Sequence, residues 1–513
     1  MNADSLQTLW HALQRTARAE PHRPLLCQAA RQLTAAGLLA AAERTATALA
    51  SAGVRALALA AEDGPDWVVI DLACALAGVV AVPVPPFFSP RQIAHLLDAA
   101  AVDAIAGRIA VTGPDPTFRP AAMLLPGVEL ARRPAPPPAG MPPGTAKITF
   151  TSGSTGTPKG VCLGLAQQLR VAEAVAAAVA SIGIRHLCAL PLATLLENVA
   201  GVYGALLAGG SVHFDQPPRG QPFGIAPVRL PEAIARHRPH SLILVPELLR
   251  ALVAAARAGW TPPGSLRFVA VGGGRVAPRL ITAARAHGLP VYEGYGLSEC
   301  GSVVSFNTPA ADRPGSAGRP LGHVQVAARN GELVVSGNAF LGYLHDPASW
   351  DQTEVASGDL GRIDAQGYLH VDGRRDHLIV TTEGRNIAPE WLESELLAGD
   401  LLRHALVIGD GRPHCVALLW PSAPTVADAA LAQHVARINA DLPAYAHIRA
   451  WLRPAEPLTP ASGLITGNGR LRRAAVAAHF ADLIASLYPP AEAPSWAFIG
   501  ACNATPRPSA NGC

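Results

Sequence analysis

Along the first hundred residues, apolar positions recur at helical spacing and then in short unbroken runs. Residues 38–52 carry apolar side chains three and four apart, the signature of a helix with one buried face. A short apolar run follows at 54–60, and the pair repeats as a helix at 67–77 and a strand at 79–84. Such alternation predicts α/β layers built on a largely parallel sheet. The longest apolar run, 68–84, contains Asp71 and Gly78 and ends in prolines. It reads as a buried helix leading into a strand, not as a membrane span.

The Pro-rich stretch 133–143 can be neither helix nor central strand and is expected to be a surface connection. Residues 147–150 predict a strand that runs into a polar, Gly-rich loop, 151–160. The alternation resumes through apolar runs at 242–245, 268–271 and 291–292, and β hairpins are expected over 318–343. From about His377 a smaller α/β piece begins, with strands at 378–381, 405–408 and 415–420 and helices at 389–397 and 426–440. The last stretch, 489–513, is rich in Pro, Ala and Asn and reads as a flexible tail.

Length changes this picture by requiring more than one core. A chain of 513 residues exceeds what a single core supports, so at least two domains are expected. Half the residues are apolar and 15% are charged, a globular balance and not a disordered one. The net charge of +3 is too small to argue for nucleic acid or an anionic membrane. The eight cysteines are scattered without a CxxC pair, which disfavours a zinc site or disulfide framework and points to the cytoplasm. The first 18 residues lack the apolar segment of a signal peptide. Peripheral membrane contact stays open.

The chemistry concentrates in TSGSTGTPKG, residues 151–160. Its glycines let backbone approach an anion. Thr151, Ser152, Ser154, Thr155 and Thr157 add hydroxyls, and Lys159 adds positive charge, a set suited to a polyphosphate. The plain alternative is a surface Gly/Ser loop.

This loop resembles the phosphate-binding signature of the acyl-CoA synthetase, adenylation-domain and luciferase superfamily of adenylate-forming enzymes. Further motifs follow in that family's order: GGGRVAP at 272–278, YEGYGLSE at 292–299, SGDLGRID at 357–364, GYLHVDGRRD at 367–376 and TTEGRNIAPEWLE at 381–393. The last of these, together with LPLATLLE at 190–197, resembles the fatty acyl-CoA synthetase branch most.

The resemblance implies a fold of stacked β-sheets with helices over 1–375, a small mobile C-terminal α+β domain over 376–488 and an active site between them. It also implies roles. Thr151, Ser152, Gly153, Ser154, Thr155, Gly156 and Lys159 would hold the ATP phosphates. Gly273, Gly274, Glu293, Gly294 and Tyr295 would frame adenine, and Ser298 would contact the α-phosphate region. Glu299 would position magnesium, Asp359 and Arg374 would take the ribose, and Gly384 would lie beside the pantetheine of coenzyme A.

Several positions depart from the family's pattern, the mildest being Ser298 where threonine is usual. Thr194 stands where histidine borders the acyl pocket. Asp376 and His377 stand around the hinge, where His377 is either a titrating group or an ordinary loop residue. Arg470 replaces the lysine that stabilises the adenylation transition state, keeping the charge but not the point-donor geometry. Arg472 and Arg473 lie close by. Cys300, beside Glu299, is expected to be packing and not a nucleophile. The expected activity is ATP-dependent, AMP-forming activation of a medium- or long-chain fatty acid to its CoA thioester. Alternatives are an aromatic-acid CoA ligase, a ligase that loads a separate acyl carrier protein, and a nucleotide-binding regulatory protein with impaired turnover.

Overall fold

The computed structural model describes residues 2–29, 31–107, 117–152, 158–182, 184–215, 224–459, 462–466 and 469–488. The chain divides into two compact units. One comprises Met1–Gly274, Ile281–Ser357 and Gly361–Val371, and the other Arg275–Leu280, Gly358–Leu360 and Asp372–Cys513.

In the first unit, the helix predicted at 38–52 runs Ala35–Ser51 and is capped by Thr34, whose hydroxyl accepts from the Gly37 amide. The helix Pro65–Ala77 begins on a proline, which costs no hydrogen bond at that position, and stops at Gly78 in the left-handed region, φ +66°. Strand Val80–Pro83 follows directly and pairs in parallel with Ala56–Ala60, which pairs in parallel with Ala104–Gly107. These strands belong to an eight-stranded sheet. Its core packs Val82, Leu96, Val102, Ile148 and Cys162 out of solvent. Each such aliphatic side chain contributes about 1.5–3 kcal/mol by leaving water.

A second sheet has nine strands. Its parallel centre runs through Val291–Leu297, Phe268–Val271, Ser241–Leu244, Arg185–Cys188, Ser211–Phe214 and Pro24–Gln28. Among the described residues, no helix is long and apolar enough to cross a membrane.

Asp71 is engaged in the interior, with its hydrogen bonds gathered on Oδ2. Lys147 Nζ lies 3.0 Å from its carboxylate. Tyr203 Oη donates to it at 2.6 Å and Asn198 Nδ2 at 3.0 Å, while Lys147 also donates to Asn198 Oδ1 at 2.5 Å. All four are buried. A buried charge persists only when paired and hydrogen-bonded in this way. The network ties the strand Lys147–Ser152 to a π-helical segment, Leu196–Tyr203.

Two expectations are corrected here. The Gly-rich segment is a hairpin: Lys147–Ser152 and Pro158–Leu163 pair antiparallel, with Thr151 opposite Lys159, so the connecting loop is shorter than 151–160. Over 318–343 the described residues form one hairpin, Gln325–Arg329 with Glu332–Ser336, turning on Asn330 and Gly331, both at positive φ. The strands Arg319–Pro320 and Gly342–Tyr343 instead join the edges of the two large sheets.

The second unit carries a three-stranded sheet, Leu402–Ile408, Cys415–Pro421 and Ile448–Leu452. Helices Pro389–Leu397 and Asp428–Asp441 contribute Leu392, Leu396, Leu431 and Ile438 to one core on this sheet.

Candidate active site

Lys159 sits on the returning strand of the Gly-rich hairpin, exposed, with Nζ 5.5 Å from the centroid of the Tyr343 ring. Tyr343 reaches it because the two-residue strand Gly342–Tyr343 pairs antiparallel with the same hairpin strand, placing Tyr343 opposite Val161. A Cβ at Gly342 would lie 2.4 Å from Trp350, so only glycine fits there. On its far side, the Tyr343 hydroxyl donates to Glu299 Oε1 at 2.8 Å. Glu299 lies in the 3₁₀ turn Ser298–Cys300, fixed where its own carbonyl accepts from the Phe340 amide at 2.7 Å. Lys159, Tyr343 and Glu299 thus form a continuous cation, ring and carboxylate line toward the loop end of the hairpin. Gly153, Ser154, Thr155 and Gly156 lie outside the described residues. The backbone of Thr151 and Ser152 lies in the outgoing strand.

Immediately before Glu299, Ser298 lines a cavity of about 190 Å³. Gly272, Gly273, Gly294 and Tyr295 share its wall. Gly272 and Gly273 follow the end of strand Phe268–Val271. Strand Val291–Leu297 can press against its neighbour only because it is glycine-rich. A Cβ at Gly296 would lie 1.7 Å from the Ser302 carbonyl oxygen. Gly274 lies outside the cavity wall. Glu293 contributes structure through its carbonyl, which accepts from the Asn307 amide at 2.9 Å. Cys300 is buried, and burial pushes its thiol well up, which makes it packing and not a nucleophile.

From Gly272 the cavity follows the sheet back to Phe268, about 13 Å at the ordinary strand rise. Its remaining wall is mostly apolar, with Thr194, Leu195, Leu196 and Ala200 from the π-helical region and Val175, Val179 and Ile184 beyond. At the start of the strands it meets His186 and Ser241.

In the second unit, Arg374 Nη1 lies 3.1 Å from Asp359 Oδ1, and Asp359 is nearly buried. Gly384, φ +71°, sits in the tight connection between Ile379–Val380 and Asn386–Ile387, where its amide donates to the Thr381 carbonyl at 2.8 Å. His377 Nδ1 contacts Glu390 Oε1 at 2.5 Å. Arg470 is exposed at the end of a tight turn in which its amide donates to Thr466 Oγ1 at 3.0 Å. Arg473 is committed elsewhere, to Glu393 at 2.5 Å and the Val407 carbonyl at 2.9 Å.

Residues 13–344 match the AMP-binding enzyme family, and 376–492 match the AMP-binding enzyme C-terminal domain. The chain belongs to the AMP-binding enzyme family. The long-chain-fatty-acid–CoA ligase FadD15 of Mycobacterium tuberculosis is 36% identical to it over 162 residues, which are 30% of this chain and 27% of that protein. The 2-succinylbenzoate–CoA ligase of Bacillus subtilis is 31% identical over 289 residues, 52% of this chain and 56% of that protein. These matches span about half or less of the relatives' own length. Among solved structures, O-succinylbenzoate coenzyme A synthetase (MenE) from Bacillus subtilis, in complex with AMP, gives a TM-score of 0.70 at 25% identity, covering 90% of this chain and 97% of that one. The anthranilate CoA ligase AuaEII, in complex with anthranoyl-AMP, gives 0.75 at 19% identity, covering 93% and 98%. The architecture of large sheets, helices and a separate C-terminal domain is therefore that of adenylate-forming enzymes.

Two residues of this candidate site escaped the sequence. Tyr343 lies 44 residues beyond Glu299 and meets it only through edge-strand pairing. His186 carried one usable signal: Glu197, inside an apolar motif, would need a buried partner.

Proposed function

We propose that this protein is an ATP-dependent, AMP-forming acid–CoA ligase acting on an apolar carboxylic acid, medium-chain aliphatic acids first. The observation that carries this reading is the line from Lys159 through Tyr343 to Glu299, whose neighbour in the chain, Ser298, lines the apolar cavity.

A carboxylate is a poor electrophile. Attack of its oxygen on the α-phosphorus of ATP expels pyrophosphate and leaves an acyl-adenylate, a mixed anhydride open to the thiolate of coenzyme A. The protein's part is positioning and charge balance. Lys159 and the hairpin loop hold the outer phosphates. Tyr295 and the Gly272–Gly273 turn receive adenine, and Ser298 approaches the α-phosphate. Asp359 accepts from ribose hydroxyls and Arg374 orients it, while Arg470 offsets charge developing at the α-phosphate. A hard carboxylate oxygen held by a phenol suits magnesium, so Glu299 would hold that ion beside the phosphates. When bound, magnesium neutralises phosphate charge. Gly384 lines the approach of the pantetheine.

The mostly apolar cavity wall supports an apolar acid, and the match to FadD15 supports an aliphatic one. The likeness to MenE along nearly its whole length favours a second reading, an aromatic acid. The test is a mass-spectrometric assay that quantifies acyl-AMP and acyl-CoA separately, with ATP, magnesium, coenzyme A and a panel of medium-chain, long-chain and aromatic acids. Thioester from medium-chain acids supports the first reading, and thioester from aromatic acids alone replaces it with the second. Adenylate without thioester assigns the acyl group to a separate carrier protein. Neither product with any acid overturns the ligase reading in favour of a nucleotide-binding regulatory protein.

A further inference from the structure

At the end of the cavity remote from Gly272 lies a buried chain of polar groups that the mechanism above does not use. His186 and Ser241 are register partners on adjacent parallel strands, and His186 Nδ1 lies 3.2 Å from Ser241 Oγ. The other ring nitrogen, Nε2, lies 2.7 Å from Glu197 Oε1. Glu197 Oε2 accepts from the Leu190 amide at 3.0 Å. His186 is 3% exposed and Glu197 0%. The pair packs against bare backbone: a Cβ on Gly201 would lie 2.5 Å from Glu197 Oε1 and 2.7 Å from His186 Nε2.

Each polar atom named in this chain has its partner within the protein. An apolar group can therefore rest against the cluster without stranding a buried donor or acceptor. The chain is also hard to displace, because moving His186 would leave Glu197 Oε1 buried without its partner. His186 and Ser241 face the cavity together with Val175, Val179 and Ile184, so the polar trio and these aliphatic side chains close one compartment.

We propose that His186, held by Glu197 and Ser241, is the specificity-determining end wall of the acyl pocket, stopping straight-chain acids at medium length. This rests on the carboxylate-activating reading. An acid whose carboxylate lies at the Gly272 end extends along the strands Ser241–Leu244 and Phe268–Val271 and ends against the imidazole. His186 is a positioning residue: it touches the far end of the substrate and not the reacting atoms.

The test compares the wild-type chain with H186A/E197Q, which removes the ring and the carboxyl group that it holds while keeping an acceptor for the Leu190 amide. Two readouts are taken over a graded series of straight-chain acids, kcat/KM for thioester formation and calorimetric binding of the acid itself. The expected result is a shift of the optimum to longer acids, with the ratio of long to medium acids rising about tenfold or more, the scale of one or two methylenes in a closed pocket. Should the double variant not fold, H186N, which is shorter but keeps a donor and an acceptor, should shift the profile in the same direction by less. An unchanged length profile, with all acids weakened alike, overturns the end-wall role and leaves the ligase reading standing. Absence of turnover in the wild type overturns the ligase reading. The binding series still decides the wall, since a profile that does not move with His186 refutes it.

Discussion

Tyr343 donates its phenol hydrogen to Glu299 at 2.8 Å while its ring lies under the Lys159 ammonium. One side chain on a two-residue edge strand thus orients both a carboxylate and a cation on separate elements. Y343F keeps the ring and loses only the hydrogen bond. A bond to a charged group contributes about 1.5–3 kcal/mol, so acyl-AMP formation should fall roughly 10- to 100-fold and need more magnesium. Tyr343→Leu should cost more, because the face that attracts Lys159 is lost as well. A magnesium titration of adenylate formation in both variants checks this.

Arg470 occupies an exposed turn, and Arg473, the neighbouring candidate, is bound to Glu393 and the Val407 carbonyl. Arg473 is therefore not available as a stand-in. R470K should raise acyl-AMP formation by roughly tenfold, equivalent to about 1.4 kcal/mol of transition-state stabilisation. R473K should leave the adenylation rate near wild type and lower the thermal midpoint instead. Single-turnover kinetics and thermal unfolding separate the two.

Lys147 and Asp71 make a buried pair. K147M strands the carboxylate, and loss of one partner from such a pair costs about 3–5 kcal/mol. Urea unfolding should show that loss. D71N/K147M, which removes both charges, should recover most of it. If K147M is as stable as the wild type, the pair is not what holds the strand Lys147–Ser152 to the Leu196–Tyr203 segment.

In the second unit, burial pushes the Glu393 carboxyl up to about 7, against the pull of Arg473 and the Val407 amide. A carboxyl raised in the folded state holds its proton there after the unfolded chain has released it. Its contribution to stability therefore falls as pH rises from the ordinary value of 4.5 through the folded value of about 7, and levels off beyond it. E393Q lacks this slope. Its thermal midpoint relative to wild type should climb between about pH 5 and about pH 8. A constant difference across that range would show that Glu393 is ionised throughout.

Local pattern was enough for much of the fold. The helices Ala35–Ser51, Pro65–Ala77 and Pro389–Leu397 follow from periodicity, a threonine cap and prolines at the first turn. The motifs that carry the family resemblance also brought Gly273, Gly294, Tyr295 and Ser298 together in the sequence reading, and these residues share one cavity wall. What local pattern could not supply was pairing at a distance. Tyr343 reads as the end of a hairpin until the edge strand Gly342–Tyr343 is laid against Pro158–Leu163. His186 reads as one more polar residue until its parallel neighbour is known to be Ser241. The shortened Gly-rich loop has the same origin, since Thr151 and Lys159 look like loop residues until they face each other across a ladder.

Glu197 and Asn198 are consecutive, yet one fixes His186 and the other fixes Lys147 and Asp71. An insertion or deletion in Leu196–Tyr203 would throw both out of register at once. Changes to this cavity that leave the fold intact are thereby confined to single side-chain exchanges around a π-helical segment of constant length.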